Sequence, residues 1–226
     1  MATQRSNSLS RDEILRAAVG VADRAGLDSL SMRNLAVEMG TAPMSLYRHV
    51  ANKEDLLDGM IDLVFGEVIF TADGDWRPAM RQRAIAMHDA LLRHAWAIGE
   101  MESRRRAGPE NLRYHNDTMA CLREVAGFSF PTAVHAFSVM DSYIYGYAQI
   151  ANRLPSDVPA EAEARQDLVT DDQAALAEAF PYLAQIAVEL RAINYDYAQE
   201  FEFGLNLILD GIEQMRDRES TSEEKR

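Results

Sequence analysis

Apolar residues recur along this chain at intervals of three and four, the period of a helix face rather than the alternation of a half-buried strand. Ile14, Leu15, Ala18, Val21, Ala22 and Ala25 make the first such stripe. Ser10-Arg11-Asp12-Glu13 opens it as a capping box, the serine serving the third helical amide and Glu13 reaching back, and Gly26 supplies a left-handed stop. Ser31 caps a second, short helix that carries Leu35, Ala36 and Met39 and closes at Gly40. After the turn Thr41-Ala42, Pro43 stands where a first helical turn tolerates it. It opens a third helix, about two turns long, through His49. Asn52 caps a fourth, with Glu54 and Asp55 at its positive end and Leu56, Leu57, Met60, Ile61, Val64 and Phe65 on its buried side. Longer amphipathic patterns predict helices near 75–98, 109–126, 130–153, 171–191 and 196–217, with a loop at Leu154–Arg165. No segment sustains strand alternation between turns, and there is no internal repeat.

The fold class is therefore all-α, in four parts: a disordered arm at 1–9, a small helical domain at 10–66, a larger helical domain at 67–217 and a flexible tail at 218–226. Hydrophobic residues make up 47% and charged residues 26% of the chain, a soluble globular balance. No stretch approaches the ~20 apolar residues of a membrane span, and the first ten residues lack the apolar core of a signal peptide. A lone Cys121 excludes an internal disulfide and a cysteine-built zinc site, so the expected compartment is the cytoplasm.

A net charge of −13 argues against a nucleic-acid partner until it is divided by region. Residues 1–60 hold seven basic and eight acidic side chains, so nearly all the acidity lies beyond them. The N-terminal domain is left free to present a basic face, while the acidic remainder repels DNA and orients the approach. Two short helices joined by a tight turn, behind a longer supporting helix, make a helix-turn-helix, whose second helix is shaped to enter a major groove. Leu46 and Val50, four apart, face the core. Thr41, Pro43, Met44, Ser45, Tyr47, Arg48 and His49 fall on the turn and the other faces, available to phosphates and base edges. Arg33 and Lys53 flank them as phosphate contacts.

Residues 10–65 resemble the DNA-binding domain of the TetR family. The resemblance lies in Gly26-Leu27-Asp28-Ser29-Leu30-Ser31-Met32-Arg33, Leu35-Ala36, Gly40, Leu46-Tyr47, His49-Val50 and Asn52-Lys53-Glu54-Asp55-Leu56-Leu57. It continues in Asp75-Trp76, Ala90-Leu91-Leu92-Arg93, Gly127-Phe128-Ser129 and Phe201-Glu202-Phe203-Gly204-Leu205, which look like the ligand-binding domain of the tetracycline repressors. The resemblance implies a ligand-responsive repressor: a homodimer joined by a four-helix interface, bound to a double-stranded operator and released by a small molecule. By position, it implies that Arg33, Ser45, Tyr47, His49 and Lys53 touch DNA. Pro43 and Met44 stand where the tetracycline repressors open the recognition helix with a glutamine and a proline, so the operator is expected to differ. The region of Met101 lacks the metal-ligating histidine, and Arg83 and Met87 replace a polar and an aromatic drug contact. Magnesium-tetracycline is thus not the expected effector.

The second domain is rich in flexible thioethers and in tyrosines with polar tips. Core packing is the ordinary role of such residues, yet they also suit an adaptable pocket. Met87, Trp96, Met101, His115, Met119, Phe137, Met140, Tyr143 and Tyr147 are the expected lining for a small, mostly apolar effector. His88, His94, His115 and His135 show no i, i+4 pairing, so no metal site and no cofactor is expected. Arg104-Arg105-Arg106 reads as a solvated turn. No nucleophile elbow is present, and the chain is expected to be no enzyme. An adaptor of the same fold, binding a protein partner without operator affinity, is the alternative.

Overall fold

The computed structural model describes residues 9–71, 74–103, 106–153, 177–192 and 197–223. Its described elements are helical throughout: α1 (Arg11–Ala25), α2 (Met32–Glu38), α3 (Pro43–Leu46), α4 (Lys53–Glu67), α5 (Trp76–Arg93), α6 (Ala97–Ser103), α7 (Pro109–Ala120), α8 (Phe130–Ala151), α9 (Pro181–Ala192) and α10 (Tyr197–Glu223). The loop expected at Leu154–Arg165, the arm before Leu9 and residues 171–176 of the helix expected at 171–191 lie outside the described residues.

The chain divides into two compact units, Met1–Phe137 and Ser138–Arg226. In the first, α1 starts on the expected capping box: Ser10 Oγ accepts the Glu13 amide, and the Ser10 amide donates to Glu13 at 2.8 Å. Gly26, at φ 74°, ends it, a conformation that side-chain-bearing residues adopt at a cost. Ile14, Ala18, Leu35, Leu46, Leu56 and Met60 are all wholly buried in one core that joins α1 to α4. Gly59 leaves room for Leu15 of α1, since a Cβ there would lie 2.6 Å from Leu15 Cδ2.

Beyond α4 the structure departs from the expected helices in three places. The single helix expected at 75–98 is two, because α5 stops at His94, whose φ of −119° and ψ of 58° are not helical. α7 ends in a π-helical turn, Cys121–Val125, that closes on the Ala126 amide. α10 continues to Glu223, into the segment expected to be a flexible tail.

In the second unit Tyr143 stacks on Phe201 at 5.4 Å, with the rings 11° from parallel, and its hydroxyl donates to the Phe201 carbonyl at 3.0 Å. Gly204 makes this possible, since a Cβ there would meet the Tyr143 hydroxyl at 2.2 Å. Gly204 thus makes a close approach within the chain. Likewise Ile144, Phe201, Leu205, Leu209 and Ile212 are buried in the single chain, whereas Val139, Ile150, Phe203 and Leu207 remain exposed. No described helix is long and apolar enough to cross a membrane.

Candidate nucleic-acid interface

The N-terminal helices build one surface from short-range rules. Ser31 Oγ accepts the Asn34 amide at 3.1 Å and starts α2. The chain leaves α2 through Gly40, at φ 60°, with the Thr41 amide bonded to the Ala36 carbonyl at 2.9 Å. Pro43 then occupies the first turn of α3, where its missing amide costs nothing. The third helix is shorter than expected: it closes at Leu46, and Tyr47–His49 continue as a turn in which the Val50 amide bonds to Leu46 O at 3.0 Å. Leu46 and Val50 are buried as their four-residue spacing requires.

The opposite side of that element is open. Pro43, Met44, Tyr47 and Arg48 are exposed, Met44 to 73%, while Thr41, Ser45 and His49 are half-buried. A methionine that exposed has no packing role in the monomer. Arg33 and Lys53 are exposed as well, at the starts of α2 and α4. Every DNA-facing candidate from the sequence thus lies on the α2–α4 segment, outside its core.

The ion pairs sort the cations of this region. Arg11 pairs with Asp55 at 2.8 Å, Arg16 with Asp12 at 2.9 Å and Arg24 with Glu38 at 2.6 Å. Among the described residues Arg33, Arg48 and Lys53 pair with no carboxylate of the chain. Their charge is left for an external anion, and all three belong to the helix-turn-helix. Asn52 Oδ1 accepts the Asp55 amide at 2.9 Å, so α4 begins with Lys53 on a fixed turn.

The side chains expected around an effector are divided by the fold. In the first unit Met80, Met87 and Tyr114 are wholly buried. The Arg83 guanidinium, itself wholly buried, lies 4.7 Å from the Tyr114 ring centre and 5.1 Å from that of Phe137. His115 stands 5.3 Å from Phe137 and 5.8 Å from Phe65, its Nδ1 donating to the Asn111 carbonyl at 2.8 Å. Met101 and Met119 are half-buried. Arg83, Tyr114 and Phe65 were not among the expected lining; their clustering comes from α4, α5 and α7 meeting, which no local pattern announces.

Trp96 is placed elsewhere. It packs on the core of the N-terminal helices and donates from Nε1 to Asp23 at 2.7 Å, because the break at His94 turns it toward α1. In the second unit Met140 is wholly buried, and Tyr143 and Tyr147 pack on Phe201. Two open clefts of about 460 and 310 Å³ flank Leu63 along the α1–α4 seam, and none of the expected effector-facing residues lines them. Among the described residues no three metal-ligating side chains converge. Burial pushes the Cys121 thiol up to about 11, so it is an inert core residue.

Residues 14–60 match the family model of bacterial regulatory proteins of the tetR family, and residues 71–216 match the tetracyclin repressor-like C-terminal domain. The chain is 34% identical to the transcriptional repressor DrrR1 of Streptomyces coeruleorubidus, over 91% of this chain and 78% of that protein. It is 28% identical to the class C tetracycline repressor of Escherichia coli, over 93% of each. Among solved structures it is similar to apo ActR of Streptomyces coelicolor, with a TM-score of 0.76 at 27% identity over 96% of this chain and 99% of that one. It is also similar to ActR in complex with actinorhodin, with a TM-score of 0.71 at 28% identity over 90% and 96%.

Proposed function

We propose, from the premise that this chain belongs to the TetR family of bacterial regulatory proteins, that it represses transcription as a homodimer on a pseudo-palindromic operator and lets go when a small, mostly apolar molecule binds. The observation that carries the reading is the sorting of charge. Arg33, Arg48 and Lys53 carry no internal ion pair among the described residues, and they are exposed on the same helix-turn-helix segment as the exposed side chains of α3. Phosphates take the free cations, and Met44, Ser45, Tyr47 and His49 read base edges and methyl groups. Two copies of α3 related by a two-fold axis set half-sites about one helical turn apart.

The exposed apolar residues Phe203 and Leu207 on α10, with Tyr182, Ile186 and Val188 on α9, support the dimer, since an isologous interface would cover them. The cytoplasm is the compartment in which such a protein meets its operator. For the effector, the cluster of Tyr114, His115 and Phe137 beside Arg83 supports an apolar body with polar points of attachment. Solved ActR complexes with actinorhodin and with (S)-DNPA support a small organic molecule. Release requires that the effector favour the state in which the two reading elements no longer fit their half-sites.

A genome-wide selection of bound DNA, followed by mobility shift with a panel of apolar compounds, tests both halves. A selected two-fold duplex, bound in preference to its scramble and released by a member of the panel, is expected. A protein that does not discriminate the selected duplex from its scramble sinks the reading. The alternative of an adaptor without operator affinity finds no support in the structure or the relatives.

A further inference from the structure

Arg11 breaks a local rule. It is a cation in the first turn of α1, where the helix dipole favours an anion. The explanation lies 38 and 44 positions along the chain. Its Nη1 donates to the His49 carbonyl at 2.9 Å and to Asp55 Oδ2 at 3.0 Å, while Nη2 donates to Asp55 Oδ1 at 2.8 Å and to the Asp55 carbonyl at 3.3 Å. Asp55 Oδ2 also accepts the Ala51 amide at 2.8 Å.

We propose that Arg11 is a positioning residue for operator reading: its fork onto Asp55 and the His49 carbonyl holds the end of the reading element and the start of α4 against α1, so that base-reading side chains and Lys53 meet the DNA in one fixed geometry. The inference rests on the proposed function and concerns how its reading surface is held.

A single exposed ion pair contributes little. This one is bidentate, and the same two side chains bond the backbone at His49, Ala51 and Asp55. Everything between His49 and Asp55, including the turn that presents Lys53, is therefore bracketed by one interaction. The Asp55 carboxyl is held below the usual carboxylate range first by the Arg11 fork and then by the Ala51 amide. Both terminal nitrogens of Arg11 are engaged within the chain, so its fork is spent on Asp55 and the His49 carbonyl rather than on phosphate. A reading element left to move must be ordered on binding, and that cost falls on the specific complex, whose base contacts need alignment. Non-specific binding, which asks only for charge near phosphates, is spared.

The test turns on sign. Asp55→Asn keeps an oxygen for the Ala51 amide and removes a negative charge beside the DNA surface. Were Asp55 only a surface acid, this variant would bind any DNA more tightly. Positioning predicts the reverse for the operator: about a tenfold loss, the scale of one lost hydrogen bond to a charged group, with affinity for scrambled duplex unchanged or raised. Arg11→Lys keeps the charge and loses the fork, and the same loss of discrimination is expected. Full-length wild type and both variants are titrated by fluorescence anisotropy against the selected operator and its scramble, with thermal unfolding of each. Variants that bind the operator as well as wild type overturn the inference alone. Equal losses on operator and scramble overturn it as well. A wild type that itself fails to discriminate overturns the proposed function, and this inference with it.

Discussion

Nδ1 of His94 lies 2.8 Å from Oδ1 of Asp23, a residue 71 positions earlier in the chain. The same imidazole places Nε2 3.1 Å from Glu67, so one nearly buried ring at the end of α5 is held between α1 and the last turn of α4. Trp96 donates to the same Asp23 oxygen at 2.7 Å, and Arg93 donates to Glu67 at 2.6 Å. The Glu67 carboxyl is held below its ordinary value by Arg93 and His94, against the upward push of burial, which is the largest single influence. α4 therefore carries polar attachments at both ends, Arg11–Asp55 where it meets the reading element and Glu67–His94 where it meets α5.

His94→Ala removes both of these bonds from a site with little solvent to replace them. A loss of about 1–3 kcal/mol is expected, read by chemical denaturation. Amide exchange should quicken at the end of α1 and around Trp96. Wild-type exchange at both places would remove the ring from any role in holding them together.

Lys53→Ala should weaken binding to operator and scramble alike and flatten the salt dependence by about one ion. Ser45 and His49 substitutions should instead change the preferred bases, and Tyr47→Ala should lower affinity through lost backbone contact. An unchanged salt slope for Lys53→Ala would mean that the start of α4 does not face phosphate.

Gly108→Ala should destabilise the chain by about 1 kcal/mol, the scale of a displaced cap. The reason is Asp62 of α4, which accepts the Asn111 amide at 2.9 Å and so caps α7 from another helix. An added Cβ on Gly108 would sit 2.3 Å from that carboxylate. Asp62→Ala should cost about 1 kcal/mol, as the loss of a cap does. Thermal unfolding of the two variants checks both figures.

His88 gives the stability a pH dependence. Burial lowers its pKa from the ordinary 6.5, despite the opposing pull of Asp89. Between the lowered value and about 6.5 the unfolded chain binds a proton that the folded chain refuses. Its contribution therefore falls as pH drops through that window and levels off beneath it. Denaturant titrations at pH 7.5 and 5.5 should show a smaller difference for His88→Gln, which stays neutral at both. An undiminished difference would assign the effect to other groups.

Phe203→Glu tests the dimer, because it places a charge in an exposed apolar row of α10. Sedimentation at micromolar concentration should show monomer appearing in the variant and dimer in the wild type. A wild-type monomer would refute the assembly itself.

How much of this was legible without coordinates follows from the range of each interaction. The capping box at Ser10, the cap at Asn52, Pro43 in a first turn and the burial of Leu46 and Val50 all came through. The caps and the proline are decided by partners within four residues, and the two buried positions by their spacing on one face, so local pattern suffices to mark them. The same locality failed at His94. Nothing near it resembles a helix stop, and α5 ends there as the ring is taken up by Asp23 and Glu67 from two other helices. That break turned Trp96 from an expected effector contact into a bond to α1. Sequence marked Tyr143 as an effector contact and Gly204 as part of a family motif, and that the two meet each other within the chain only the packing decides. The charges divide in the same way. By type alone Arg11 and Arg48 are equal candidates for phosphate, but Asp55 engages one, and among the described residues no carboxylate engages the other. The chain by itself determined its helices, its helix-turn-helix and which faces are apolar. Which cations are free and where α5 stops depend on carboxylates brought alongside from dozens of residues away, and only the packed structure decides that.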